Sequence, residues 1–202
     1  MVNQKELVKH GRPHRNLPDI YSLPAIKGIS RYKSVPHELD CANLFVAFWQ
    51  TGKLQHWDNA WDADEKKAFN IGSDEKKQQY PIWYDRRLKL ADELFLLEVD
   101  RGTEHLTTQF NEKIELYIRF FQHLKNSAAN ILFTVQDWRY GYEDPEGALE
   151  RTREMLNLFA RKKNTRIRFF VALHSDVLEN PLAPIWFSPT FPDKKVVLTE
   201  LS

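Results

Sequence analysis

A chain of 202 residues, 28% of them charged, has the size and composition of a globular domain with a buried core of its own. Its single cysteine, Cys41, excludes an internal disulfide, and no apolar run reaches the roughly 18 residues that a membrane-spanning helix needs. The first residues also lack the apolar segment of a secretory signal. We therefore expect a soluble, cytoplasmic protein that does not span a membrane.

The net charge of +1 conceals an uneven distribution of charge along the chain. Residues 1–36 contain seven lysines and arginines and two acidic residues, whereas residues 37–100 contain eight basic and thirteen acidic residues. A basic segment beside an acidic one is typical of a protein that contacts polyanions and also holds cations. We predict a basic N-terminal arm over residues 1–36 and an α/β domain with a Pro-rich C-terminal tail over residues 37–202.

The first elements after the arm are a helix and a short strand. Pro36 is suited to the first turn of a helix, and apolar residues then recur at helical spacing until Gly52. The stretch KLQHWDNAW reads as a strand, and a polar connection follows it. Two alternating segments, from Ile82 to Leu90 and from Leu94 to Asp100, then predict a β-hairpin.

Helices and strands alternate in the second half of the chain. TTQFNEKIELYIRFFQHLKN carries one apolar stripe and predicts a helix, which Thr103 or Thr107 would cap. NILFTVQ and TRIRFFVALH read as buried strands, and a second helix between them starts with Asp144 as cap and Pro145 as first residue. The tail is expected to wrap the surface before a last short strand. This order predicts a central mixed sheet of four to five strands flanked by helices.

The hairpin places acidic residues on one face. If Asp92 and Glu93 form a two-residue turn, Asp85 lies opposite Asp100, and Arg87 lies opposite Glu98. A three-residue turn would move Asp85 to the other face.

Three converging carboxylates, Asp85, Glu98 and Asp100, are the ligands that Mg²⁺ or Mn²⁺ requires. Such an ion can activate water and stabilise charge at a phosphodiester. The alternative is a solvated hairpin in which Arg87 and Glu98 form a surface ion pair.

The run YDRRLKLADELFLLEVDRGTE, followed by KIELY, resembles the replication-relaxation family of plasmids and other mobile elements. That resemblance implies a functional set comprising an Asp before the hairpin, the run from Glu98 to Glu104, and a Lys and a Tyr on the next helix. The corresponding residues are Asp85, Lys113 and Tyr117. The resemblance implies action on DNA, with a replication or mobilisation protein as a further possible partner.

The element order is also similar to the restriction-endonuclease-like fold with its PD-(D/E)XK motif. Asp85 and Glu98 match the two acidic positions, but Asp100 stands where the motif lysine belongs, so that Lys113 or Lys89 would have to supply it. Either the protein is a Mg²⁺- or Mn²⁺-dependent nuclease with Asp85, Glu98, Asp100 and Lys113 as catalytic residues, or it is a catalytically silent DNA-binding accessory protein. A third alternative is an interaction module that docks a basic partner through its acidic face.

Further candidates surround this centre. Arg101 and Thr103 could contact phosphate, Glu104 closes the family run, and Glu38 could approach the acids from the first helix. The arm could be the remnant of a winged helix, and DNA contact is predicted for five basic residues: Arg12, Arg15, Lys162, Lys163 and Arg166. The alternative for the last three is a solvated helix end whose charges complement the helix dipole.

Overall fold

The computed structural model describes residues 8–11, 20–22, 35–59, 84–123, 129–139, 142–162 and 166–201. The chain divides into two compact units, residues 1–42 and 43–202. The described part of the first unit contains two antiparallel strands, β1 (Val8–Gly11) and β2 (Ile20–Ser22). Helix α1 (Val35–Gln50) begins one residue before Pro36 and ends two before Gly52, as predicted. The winged-helix remnant stays a prediction.

The second unit is built on a seven-stranded mixed sheet. Its strands are β3 (Leu54–Asn59), β4 (Arg86–Leu90), β5 (Glu93–Asp100), β6 (Ala129–Val135), β9 (Ile167–Leu173), β10 (Trp186–Ser188) and β11 (Phe191–Val196). Their spatial order is β11-β10-β9-β6-β5-β4-β3, in which β6 pairs in parallel with both β5 and β9 and the other neighbours are antiparallel. The strands β7 (Trp138–Arg139) and β8 (Tyr142–Glu143) form a separate small ladder.

The prediction of four to five strands was therefore too low, because the Pro-rich tail adds two strands to the sheet where one last short strand was predicted. Strands β10 and β11 both come from this tail. Three of its four prolines lie outside the strands, and the fourth, Pro192, lies in the edge strand β11, where a missing backbone donor is tolerated. The mixed α/β sheet itself is as predicted, whereas the restriction-endonuclease-like fold remains unconfirmed.

Three further helices belong to this unit: α2 (Asn111–His123), α3 (Pro145–Ala160) and α4 (His174–Glu179). The start of α3 is as predicted, since the Asp144 side chain accepts a hydrogen bond from the Gly147 backbone and Pro145 is the first helical residue. A π-helical turn (Leu106–Phe110) leads into α2, and its N-cap residue, His105, makes no side-chain cap. The predicted cap by Thr103 or Thr107 was therefore wrong. Among the described residues, no helix is both long and apolar enough to span a membrane.

The hairpin turn falls one residue earlier than predicted. Ala91 and Asp92 both have positive φ, as in a two-residue type I′ turn, and Leu90 pairs with Glu93. Glu93 stays in the strand because its carboxylate accepts hydrogen bonds from Asn130 and Arg168.

The register consequently places Arg87 opposite Leu96 instead of Glu98. Continuing that register brings Asp85 beside Glu98 instead of Asp100. Because each pairing moves by two residues, the same side chains still share a face.

The main core lies between one sheet face and the helices α2 and α3. Leu96, Phe133 and Phe169 contribute from the strands, and they pack with a set of buried residues of the π turn and the helices: Phe110, Ile114, Tyr117, Met155 and Phe159. The rings of Phe159 and Phe169 stack at 4.4 Å between centroids. Glu98 and Asp100 occupy the same face as Leu96 and thus point toward these helices, not toward solvent.

Candidate functional site

Glu98 is the centre of a buried polar cluster. It lies on β5 next to the parallel strand β6, and only 2% of its surface is exposed. Its Oε2 accepts a hydrogen bond from Lys113 Nζ at 2.5 Å, and its Oε1 accepts one from the Tyr117 hydroxyl. Lys113 and Tyr117 are one turn apart on α2 and therefore share a face of that helix. One carboxylate oxygen is thus hydrogen-bonded to a lysine and the other to a tyrosine.

Asp85 lies beside Glu98, directly before the other strand of the hairpin, β4. Its backbone donates to the Leu97 carbonyl, and its Oδ2 accepts from the Val99 backbone at 2.7 Å. These two contacts hold the Asp85 carboxylate close enough to Glu98 for their charges to interact. The structure thus brings Asp85, Glu98 and Lys113 together, with Tyr117 behind them.

The electrostatics of this cluster follow from burial and from the close charges. Burial is the main cause that raises the pKa of Glu98 to about 8; the charge of Lys113 acts to lower this pKa, and the charge of Asp85 acts to raise it. Burial acts to lower the pKa of Lys113, but the charges of Glu98 and Asp85 outweigh that effect and raise it above its ordinary value. Burial and the Glu98 charge also raise the pKa of Tyr117 well above its usual range, which keeps the hydroxyl a donor. The ionised Glu98 therefore depends on Lys113.

Asp100 belongs to a different set of contacts. Arg151 on α3 binds it with two nitrogens, Nε to Oδ2 and Nη2 to Oδ1, the latter at 2.8 Å. The Gly102 backbone also donates to Oδ1, and Arg151 Nη2 donates to the Glu104 carbonyl at 2.9 Å. We call this set of Asp100, Gly102, Glu104 and Arg151 the arginine lock. It fastens the loop after β5 to α3.

The structure does not gather Asp85, Glu98 and Asp100 into one group in the part of the chain that it describes, and the metal site stays a prediction. There, no three His, Cys, Asp or Glu side chains gather in a way that would hold a metal ion. The physical reason is that Asp100 is held by Arg151, which leaves Asp85 and Glu98 as the close carboxylate pair.

The π-helical turn directly precedes the helix that carries Lys113. It lies between the loop that ends the EVDRGTE run and the first turn of α2. Single π turns within helices occur frequently at functional sites, because they shift the side chains that follow.

Apart from the DNA-contacting residues, the remaining predicted site residues that the structure describes are Arg101, Thr103, Glu104 and Glu38. The charge of Glu104 acts on Lys113, Arg101 is half-buried, and Thr103 is exposed. Glu38 is exposed in the first turn of α1, where its carboxylate lies 3.9 Å from His37.

The predicted DNA-contacting residues are described only in part. Lys162 Nζ donates to Glu115 at 2.5 Å, so this lysine joins the end of α3 to α2. Arg166 is exposed before β9. Arg12, Arg15 and Lys163 lie outside the described residues.

Sequence reasoning missed two groups of side chains. One is Arg151, which carries no local signal because its partner lies 51 residues earlier in the chain. The other lies just past the carboxyl ends of β6 and β9, where the Ser175 hydroxyl donates to Asp137 and His174 is 4% exposed. Burial is the main cause that lowers the pKa of His174 to about 4. The charge of Asp137 acts to raise this pKa, and the charge of Arg101 acts to lower it. Ligands of α/β proteins often bind at such strand ends, which was the available signal.

Comparison with known proteins agrees with the resemblance seen in the sequence. The family model described as replication-relaxation matches residues 5–135, which is more than half of the chain and includes the EVDRGTE run, the hairpin and α2. Comparison with curated proteins and with solved structures gave no match. Because the matched segment contains Asp85, Glu98, Lys113 and Tyr117, the Glu98 cluster is part of the shared region, whereas Arg151 is not. The chain belongs to the replication-relaxation family.

Proposed function

We propose that this protein acts on DNA in the replication or relaxation of a plasmid or another mobile element. Family membership supports the process, and the Glu98 cluster supports a chemical role in it. The observation that carries the proposal is the 2.5 Å contact between Lys113 and Glu98, beside Asp85, inside the family segment. A buried acid beside a second carboxylate and a lysine is costly to maintain for stability alone, since burial disfavours the charged form of each group.

The finer proposal is cleavage of a phosphodiester by this cluster. Lys113 supplies a positive charge that stays protonated, and 28% of its side chain is exposed, so that it can reach a phosphate oxygen from beneath the surface. Its ammonium group would orient the attacked phosphate and offset the charge that develops there. Lys113 thus takes the place of the motif lysine that Asp100 replaces.

Mg²⁺ or Mn²⁺ is the cofactor that this chemistry would use. The donor set fits one hard cation, because such ions take one or two carboxylates and complete their shell with water and phosphate oxygens. Asp85 and Glu98 would hold it, whereas the arginine lock keeps Asp100 out of the set. When bound, the ion would activate water and polarise the phosphodiester.

Tyr117 orients Glu98 and does not attack DNA in this proposal. Its side chain is 1% exposed and its hydroxyl is hydrogen-bonded to Glu98. A nucleophilic tyrosine would have to leave the core first.

A catalytically silent DNA-binding protein is the second candidate. It is favoured by the pairing of Glu98 with Lys113 and of Asp100 with Arg151, which satisfies both acids without a metal ion. The third alternative, docking of a basic protein through an acidic hairpin face, is weakened by the burial of Glu98 and Asp100, because a docking face must be exposed.

The test is incubation of supercoiled plasmid with the full chain and Mg²⁺ or Mn²⁺, for the wild type and for Asp85→Asn, Glu98→Gln and Lys113→Met. We expect nicking or linearisation by the wild type and a loss of at least about 100-fold in each variant, the usual size of one general acid–base or charge-stabilising group. Lys194→Met is the matched control, since Lys194 is an exposed lysine on the edge strand β11. Calorimetry with Mn²⁺ should show binding that Asp85→Asn and Glu98→Gln remove.

The outcomes separate the candidates. Salt-dependent DNA binding without cleavage, together with no Mn²⁺ binding, would establish the silent accessory protein. Absence of both cleavage and salt-dependent DNA binding would overturn the proposed function.

A further inference from the structure

A surface pocket of about 350 Å³ lies beside the arginine lock. The loop of residues 102–107 forms one wall, and Arg151 and Glu154 of α3 form the other. Its size is at the lower end of small-molecule sites, which is the scale of a single nucleoside and far below that of a duplex. Thr103, His105, Thr107 and Glu154 are exposed, so the pocket opens to solvent.

The charges of the lining disfavour a phosphate group. Glu104 and Glu154 contribute two carboxylates, against the single guanidinium of Arg151. That guanidinium is already engaged by Asp100 and the Glu104 carbonyl. Carboxylates in such a pocket are hydrogen-bond acceptors for amino groups, and Glu or Asp accepting from the N4 amino group of cytosine is a known form of base recognition.

The Arg151 side chain adds a flat surface. Two hydrogen bonds that it donates to Asp100 and one that it donates to the Glu104 backbone carbonyl fix its plane, and only 11% of the side chain is exposed. Nucleobases stack on arginine planes in single-stranded recognition, and a plane that is already immobilised loses no further freedom when a base binds.

From the size, the acceptors and this plane, we propose that the pocket binds one unpaired nucleobase that carries an exocyclic amino group. The inference rests on the proposed action on DNA and deepens it. Glu104 acts on Lys113, and Arg151 binds Asp100 two residues from Glu98, so the bound base lies next to the Glu98 cluster. Recognition of that base selects the nucleotide beside the phosphodiester.

The experiment compares binding of fluorescent oligo(dC) and oligo(dT) of equal length to the full chain, in the same low-salt buffer at pH 7.5. Cytosine and thymine have similar size and stacking strength but differ in the amino group. We expect roughly fivefold tighter binding of oligo(dC), the effect of one carboxylate–amino contact. Glu154→Gln replaces an acceptor by an amide of the same shape and should reduce that preference to twofold or less. Glu150→Gln, an exposed change one turn earlier on α3, is the matched control and should leave it unchanged.

Equal binding of both oligonucleotides by the wild type, or a preference that Glu154→Gln leaves intact, would overturn the pocket inference while the action on DNA stands. Competition by hexa-arginine that Glu154→Gln abolishes, with no base preference, would overturn it in favour of a basic protein segment. Failure to bind any DNA would remove the proposed function itself, which distinguishes the two failures.

Discussion

Glu98 and Asp100 lie two residues apart on the same face of one strand, yet their environments differ. Glu98 is bound by Lys113 and Tyr117, both from α2, and more than a quarter of the lysine side chain is exposed. Asp100 is bound by Arg151 from α3 through a two-point contact that is almost closed to solvent. The first pair lies within the segment that matches the family, and the partner of the second lies outside it.

This difference separates two roles within one motif. A lysine offers a single charged point on a flexible stem, so it can exchange Glu98 for another anion, whereas the planar arginine fork holds a carboxylate in one orientation. Glu98 is therefore suited to chemistry and Asp100 to holding the loop after β5. The Glu-x-Asp spacing predicts one site in the sequence, but the structure divides it between a lysine-bound acid and an arginine-bound acid.

Removal of Arg151 should have the largest effect on stability. Arg151→Ala leaves Asp100 buried without its cation, and we expect the free energy of unfolding to fall by about 3–5 kcal/mol. Urea denaturation measures it, and Arg153→Ala, an exposed change on the same helix, should stay within about 0.5 kcal/mol of wild type. The double variant Arg151→Met with Asp100→Leu should recover most of the loss, because no charge then remains buried. If Arg151→Ala costs no more than Arg153→Ala, the lock is not structural.

His174 shows the effect of burial on a titratable group that lies on the other face of the sheet from Glu98. It lies beside Thr134, whose side chain faces away from Glu98. Its pKa is lowered to about 4, so below pH 6.5 the unfolded chain binds a proton that the folded chain does not. The unfolding free energy should therefore fall as pH drops from 6.5 to 4, by up to about 3 kcal/mol from this residue.

His174→Gln should flatten that decline, as measured by urea denaturation at pH 7.5, 5.5 and 4.5. His105→Gln, at an exposed position, should leave the decline unchanged. A decline of equal slope in His174→Gln and the wild type would show that other groups cause it.

Lys113 should have a smaller effect on stability, and one that depends on pH. Because the pKa of Glu98 is raised to about 8, the folded chain holds a proton on it between about pH 4.5 and 8 that the unfolded chain has lost, so its contribution to stability falls as pH rises through this range. Lys113→Met should then cost about 1–3 kcal/mol at pH 9 and clearly less at pH 5, because only the ionised Glu98 needs its partner.

Urea denaturation at the two pH values measures the difference. When Glu98→Gln is already present, the cost of Lys113→Met should be the same at both pH values. A cost that is equal at both pH values in the chain that retains Glu98 would mean that Lys113 and Glu98 are not coupled, and the contrast with the arginine lock would be lost.

The sequence was informative wherever structure depends on neighbouring residues. Helical spacing after Pro36 and the Asp144–Pro145 start predicted α1 and α3, and alternation predicted the hairpin. Even the misplaced turn left Asp85 and Glu98 on one face, because moving a two-residue turn by one position changes each pairing by two. The predictions were wrong where contacts with residues far along the chain decide the local structure. Glu93 is an example, because hydrogen bonds from Asn130 and Arg168 hold it in the strand.

Local pattern and family motif thus determined the main helices and strands from α1 to β9, their order, and which face of β5 carries the acids. Only the tertiary structure decided which cation binds each acid. Lys113 and Arg151 lie on different helices, at different distances from β5 along the chain, and both helices pack on the same face of the sheet. It also decided that the tail adds two strands and that His174 is buried beside Asp137 and Arg101. Such contacts depend on how whole elements pack, and no short-range spacing encodes them.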